Sequence, residues 1–250
     1  LKRLILPDSI TRIPYELCSG CTSLESITFG NAVTYIGNEA FKDCTSLTSI
    51  DLPDTLDEIC YKAFDGCASL ASIEIPDSVT KIYGAVFNGC TSLTNVVVGK
   101  FAAWVHETAF ANCPALTTVT LDSRYAVDNF KDLFSGVSNV IIGDSVTSIG
   151  SSAFSGCSSL ESIILPFVGG SKSATSASSS TLFGYIFGTS SYTGGVATKQ
   201  YYSSSSYKTY YIPSSLKSVT VTGGNILYGA FYDCTGLTSV YITDIAAWCN

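Results

Sequence analysis

Ala63-Phe64-Asp65-Gly66-Cys67-Ala68-Ser69-Leu70 is one copy of a unit A-F-x-x-C-x-S-L with close relatives at residues 40–47 and 109–116, and most of it is repeated at 87–93. Cys21, Cys44, Cys67, Cys90 and Cys113 stand 23 residues apart, four times in succession. A fixed period of this size marks a stack of supersecondary units, each too small to bury its own apolar face. The rest of the chain is read by its agreement with this period or its departure from it.

The leading apolar residue of each coil sets the phase: Leu1, Leu24, Leu47, Leu70, Leu93, Leu116, Val137, Leu160, Leu216 and Leu237. From each marker runs a pattern such as Leu47-Thr48-Ser49-Ile50-Asp51-Leu52 or Leu70-Ala71-Ser72-Ile73-Glu74-Ile75. Apolar residues three and five places on alternate with polar ones two and four places on, which predicts a strand with one buried and one open face. Pro7-Asp8, Pro53-Asp54 and Pro76-Asp77 end the strand in three coils, because proline lacks a donor and Asp hydrogen-bonds the turn that follows. A second apolar pair, such as Val79 and Ile82, predicts a short strand on the opposite side. The A-F-x-x-C piece has room for about one helical turn, and its Phe is placed to stack on the Phe of the next coil. The fold class is therefore an α/β repeat: a solenoid of about ten 23-residue coils, mostly parallel strand, with short one-turn helices.

The 250 residues form one solenoid in this reading, and both ends fall inside repeats, as expected of a piece of a longer protein. The net charge is −7 with 13% charged residues, a poor match to a phosphate backbone, so nucleic acid is not an expected partner. No run of about 18 apolar residues exists to span a membrane. The ten cysteines lack paired C-x-x-C spacing, Cys18 and Cys21 being the one x2 pair, and His106 is the sole histidine. The period makes the cysteine position small and buried, a ladder of free thiols. Cys18, Cys60 and Cys249 lie off that ladder. No metal or cofactor is expected.

The period, the turn over residues 75–82 and the corner over residues 63–70 resemble the BspA-like, treponemal-type leucine-rich repeats, over nearly the whole chain outside 167–210. The resemblance implies a curved leucine-rich-repeat solenoid with the long strands on its concave face. It also implies a cell-surface or secreted protein used for attachment rather than an enzyme.

Three departures stand out. At Phe134-Ser135-Gly136-Val137 the corner has collapsed, and Val137 serves as both cysteine equivalent and next marker. Phe101-Ala102-Ala103-Trp104 and Ile245-Ala246-Ala247-Trp248 place both tryptophans of the chain at one repeat phase, either packed over the turn or projecting as an anchor. The step from Leu160 to Leu216 is 56 residues, so 167–210 is a Ser/Tyr/Gly-rich insertion within one repeat. No Asp or Glu occurs between Glu161 and Asp233. Long insertions into a scaffold are more often functional or disordered than inert, and a Gly/Ser-rich linker that merely loops out is the alternative; the aromatic content predicts at least a β-hairpin packed on the coils.

Chemistry is thin. Any nucleophile–histidine arrangement has to use His106 with its neighbour Glu107, at an outer corner. Asp51 and Glu74 are adjacent on the open face like a glycosidase pair, but a flat sheet offers no pocket to desolvate one of them. They read as an acidic contact patch, with calcium binding a second option. Candidate ligand contacts are Thr28, Asp51, Glu74, Val97, Thr120 and Tyr241 on the strand face, and Tyr192, Tyr201, Tyr202 and Tyr207 in the insertion. The expected function is non-catalytic binding of a protein or glycan outside the cell. The alternative is a spacer or accessory domain that holds another domain off the envelope, which expects no order over residues 171–206.

Overall fold

Each 23-residue coil is built to pair with the next at the same phase. A computed structural model describes residues 1–134 and 136–244 and divides the chain into two units, Leu1–Ala126 and Val127–Asn250. The first unit holds β1 (Arg3–Ile5), β2 (Arg12–Ile13), β3 (Ser26–Thr28), β4 (Tyr35–Ile36), β5 (Glu58–Ile59), β6 (Ser72–Ile75), β7 (Lys81–Ile82), β8 (Asn95–Val98), β9 (Trp104–Val105) and β10 (Thr118–Leu121). On one side β1 pairs with β3, and β6, β8 and β10 pair in order, all parallel. On the other side β2, β4, β5, β7 and β9 form a parallel sheet. Arg3 lies opposite Ser26 and Ser72 opposite Asn95, so the sequence period is the strand register.

The core lies between the two sets of strands. Leu24, Leu47, Leu70 and Leu93 are fully buried, as are Ile36, Ile59 and Ile82 from the short strands. Phe41, Phe64, Phe87 and Phe110 form a column: successive ring centroids are 5.4, 5.6 and 5.4 Å apart, with interplanar angles of 11°, 4° and 8°. Offset-stacked rings at this separation attract beyond the area they bury. Phe29 closes one end, edge-on to Phe41 at 5.9 Å. The cysteines also run between coils. The thiols of Cys44, Cys67, Cys90 and Cys113 donate to the carbonyls of Cys18, Phe41, Phe64 and Phe87, at 3.3, 3.3, 3.4 and 3.2 Å. Burial pushes Cys44 up to about 12 and Cys67 well above its ordinary value. All nine cysteines among the described residues are free. Cys18, off the thiol ladder, is 4% exposed and holds the place that Phe41, Phe64 and Phe87 hold in later coils. Cys60 is buried too, and Cys249 lies outside the described residues.

The A-F-x-x-C corner is a pair of turns. Its amides point along the stack: Phe41 N–H donates to Ala63 O, Phe64 to Val86 O and Phe87 to Ala109 O, at 2.8–2.9 Å. Donors used between coils are unavailable for a helical ladder within one coil. Two residues per corner take left-handed backbone, seen at Lys62 (φ 57°) and Gly66 (φ 73°). Short helices occur elsewhere, at α1 (Arg124–Asp128) and α2 (Phe130–Phe134), the latter beside the collapsed corner. Val137 is 2% exposed there, and Ser135 lies outside the described residues.

The second unit continues with β11 (Asn139–Ile142), β12 (Ser162–Leu165), two 3-10 turns (Ser179–Thr181, Phe183–Ile186), β13 (Gly195–Tyr201), β14 (Tyr207–Pro213), β15 (Ser218–Val221) and β16 (Ser239–Ile242). β12 pairs directly with β15, Ser162 opposite Ser218, so the insertion leaves the ladder intact. Phe183 and Phe187 fill the aromatic column: Phe154 contacts Phe187 at 6.3 Å, and Phe183 contacts Phe231 at 5.1 Å. Residues 182–188 thus supply the missing coil's corner. β13 and β14 form an antiparallel hairpin with Tyr201 opposite Tyr207.

Candidate functional site: an acidic groove and a tyrosine hairpin

The strand face of the first unit is not flat. Asp51, Asp54, Glu74, Asp77 and Asp122 line a groove of about 500 Å³, with Val97 and Gly99 beside them. This corrects the expectation of a sheet without a depression. The coil phase explains the grouping. Asp51 and Glu74 stand at the same phase of adjacent coils, Glu74 on β6 and Asp51 in a stretch outside any strand, while Asp54, Asp77 and Asp122 come from the segments that follow in their coils. Gly99 lets the turns approach: a Cβ there would lie 2.7 Å from the backbone of Pro76 and Asp77.

Asp77 is partly satisfied. It accepts the Lys100 amide at 2.9 Å and pairs with the Lys100 ammonium at 3.0 Å. Those hydrogen bonds from Lys100, backbone first, hold its carboxyl below the ordinary value. Asp51 and Glu74 are exposed, so the groove does not desolvate them as an acid–base pair needs. Among the described residues, no group of three or more His, Cys, Asp or Glu converges to hold a metal, so the calcium option has no ligand set.

The predicted contacts separate into groups. Asp51, Glu74 and Val97 share the groove; Thr28 and Thr120 do not line it. Tyr241 is 59% exposed on β16 in the second unit. In the insertion, Tyr201 and Tyr207 meet across the hairpin at 5.3 Å, and Tyr232 closes on Tyr201 at 5.1 Å. Lys199 lies over Tyr207 at 3.9 Å, a cation–π contact. Tyr207 and Tyr232 are about half exposed. Tyr192 points inward instead: its hydroxyl donates to Tyr211 O at 3.0 Å, and burial pushes it far above its ordinary value. Tyr202 is half-buried beside the turn, with its amide bonded to Ser206 O.

One residue that holds the hairpin was missed. Gln200 is fully buried; its amide donates to Ala230 O at 3.1 Å and Tyr232 O at 3.2 Å, and its oxygen accepts the Gly184 amide at 2.6 Å. With Thr198, Tyr210 and Ile212 it forms the buried side, which leaves Lys199, Tyr201 and Tyr207 on the other. Alternation along the strand was the signal that could have found it. His106 holds a structural place, its Nδ1 meeting the Thr108 hydroxyl at 3.0 Å. Trp104 packs edge-on to Tyr83 at 5.2 Å and His106 at 5.7 Å while 37% exposed. Trp248 lies outside the described residues.

The chain is similar to several bacterial proteins of known structure. A Treponema pallidum leucine-rich repeat protein is 32% identical, with 65% of this chain and 68% of that one covered, at a TM-score of 0.48. A leucine-rich cell surface protein of Faecalibacterium prausnitzii is 20% identical over 98% of this chain and 79% of its own, at 0.37. The pneumococcal vaccine antigen PcpA is 20% identical over 57% of this chain at 0.49, and the chain spans 36% of its length. No curated protein matches. Six copies of the BspA type leucine rich repeat region match residues 11–133 and 128–246. The chain belongs to the BspA type leucine-rich repeat family.

Proposed function

We propose that this chain is a non-catalytic binding module of a bacterial surface protein, acting at the cell surface or after secretion. It takes a protein or glycan ligand through the strand face and the tyrosine hairpin. The observation that carries this reading is the groove: five carboxylates gathered on the open side of rigid, hydrogen-bonded coils. A fixed scaffold that presents charge in a depression binds with little loss of side-chain order, and its sign favours a basic partner. The exposed tyrosines add flat, amphipathic area at low entropic cost. The spacer alternative expects residues 171–206 to be unordered, whereas this segment contains two 3-10 turns and a hairpin strand.

Capture of proteins from a relevant surface extract, run beside a glycan array, tests the reading. Three forms are needed: the intact chain, Asp51→Asn/Glu74→Gln, and a chain with 195–213 shortened to a turn. Binding that weakens in either altered form is expected. Equal binding by all three forms removes both surfaces from the account.

A further inference from the structure

The first corner departs from the later ones at one residue. The other corners of the first unit hold phenylalanine and cysteine three places apart: Phe41 and Cys44, Phe64 and Cys67, Phe87 and Cys90, Phe110 and Cys113. In Leu17-Cys18-Ser19-Gly20-Cys21, cysteine stands in the phenylalanine place. That exchange makes the one C-x-x-C pair of the chain. Phe41 has ring neighbours in Phe29 and Phe64, and the column gains no ring from position 18.

The geometry of the corner brings the two thiols together. Cys21 N–H donates to Cys18 O at 3.0 Å and Gly20 takes left-handed backbone (φ 72°), so residues 18–21 form a β-turn. The next two corners close the same way, Cys44 N–H to Phe41 O at 3.3 Å and Cys67 N–H to Phe64 O at 3.2 Å. The ends of such a turn lie within about 7 Å, Cα to Cα, and a disulfide spans about 4.4–6.8 Å. Both end positions point into the core, since Phe41, Cys44, Phe64 and Cys67 are fully buried. Cys18 and Cys21 therefore face the same side, with their thiols in hydrogen-bonding contact. Burial, and then the Cys21 thiol beside it, push Cys18 up to about 11. The backbone of the turn is held independently of either side chain: Cys18 N–H donates to Ala40 O at 2.8 Å and Gly20 N–H to Lys42 O at 2.7 Å. Cys21 is partly exposed, whereas Cys44, Cys67 and Cys90 are buried.

We infer that Cys18 and Cys21 are an oxidisable dithiol that closes to a disulfide within the first corner, its co-reactant a small-molecule or protein disulfide. The partly exposed Cys21 thiolate attacks one sulfur of the incoming disulfide, forming a mixed disulfide and releasing a first thiolate. The Cys18 thiolate then attacks the Cys21 sulfur, closing the bond and expelling the second thiolate. Two protein thiols are oxidised, one disulfide is reduced, and the protons lost by Cys18 and Cys21 pass to the two released thiolates. The surface or secreted setting proposed above is where such a bond persists. Neither the groove nor the hairpin takes part, so ligand capture and closure succeed or fail separately.

Oxidised glutathione added to the intact folded chain at pH 8 tests this, followed by acid quenching, alkylation of the remaining thiols after denaturation, and tryptic mapping. Cleavage after Arg12, Lys42 and Lys62 puts Cys18 and Cys21 on one peptide, 13–42, and Cys44 and Cys60 on the next, 43–62. The expected product is peptide 13–42 unalkylated and short of two hydrogens, formed at least about tenfold faster than Cys44 or Cys67 is lost. Cys18→Ser should stop closure and leave glutathione on Cys21. Cys18→Phe, which restores the residue of the later corners, should do the same and keeps the test usable if serine is poorly tolerated in the core. A cross-link between peptides 13–42 and 43–62, a mixed disulfide that stays on Cys21 in the unaltered chain, or thiols at 18 and 21 that stay reduced overturns the inference. So does oxidation of Cys44 and Cys67 as fast as that of Cys18.

Discussion

Phe64→Ala is expected to be among the most damaging single changes in the first unit. The ring is fully buried and stacked on both sides, 5.4 Å from Phe41 and 5.6 Å from Phe87. Emptying a buried phenylalanine site costs about 3–5 kcal/mol, transfer and cavity together. Closure of the cavity is resisted because the coils are pinned by amide bonds such as Phe64 N–H to Val86 O at 2.9 Å. A loss of about 4 kcal/mol, at a urea slope near 2 kcal/mol/M, lowers the unfolding midpoint by about 2 M. Phe87→Ala should cost a similar amount, since its ring has the same two neighbours in phase. The double variant should fall short of the sum by about 0.5–1.5 kcal/mol, because the stacked pair is lost once and not twice. Urea unfolding followed by far-ultraviolet circular dichroism measures all three. A single loss under about 1 kcal/mol, or strict additivity, refutes a stacked phenylalanine core.

Three further outcomes follow from the same geometry. Gln200→Leu leaves the Gly184 amide and the Ala230 and Tyr232 carbonyls without their buried partner, each costing about 1–3 kcal/mol; proteolysis near the turn at 203–206 should accelerate, and an unchanged cleavage rate contradicts the pin. Gly99→Ala should destabilise more than Gly89→Ala by thermal melting, although only Gly89 has positive φ (71°), because the added carbon at 99 meets backbone at 2.7 Å and at 89 meets nothing nearer than 3.8 Å. The buried thiols Cys44, Cys67 and Cys157 should resist alkylation at pH 8 in the folded chain. Their folded values are raised, so the stability they contribute is present below about pH 8.5, the unfolded value, and is lost as pH climbs from there through the folded values. Each adds a slope of about 1.4 kcal/mol per pH unit in that window; a melting temperature flat from pH 8 to 10 contradicts it.

The coil was legible because it repeats. One phase assignment gave the buried leucines, the isoleucines of the short strands and the phenylalanine column, since every coil has the same neighbours. It gave the corner's position but not its form, because the spacing of Ala63, Phe64 and Cys67 does not reveal that the amides bond between coils. The groove was half legible. Asp51 and Glu74 followed from strand alternation, whereas Asp54 and Asp77 read as turn residues, and their convergence depends on how far the turns approach at Gly99. In the insertion, composition pointed to tyrosine contact, but a count of tyrosines cannot separate Tyr207, half exposed, from Tyr192, whose hydroxyl is spent on Tyr211 O. Gln200 escaped because its partners lie 16 to 32 residues away and lack a repeat phase to reveal them.

The most direct test of the strand face and hairpin as the contact surface is hydrogen–deuterium exchange on the intact chain, free and bound to a captured partner. Slowed exchange is predicted at residues 49–54, at 72–78 and along 195–213. Slowed exchange confined to the short-strand side, at β2, β4, β5, β7 and β9, with the groove and hairpin unchanged, contradicts the account.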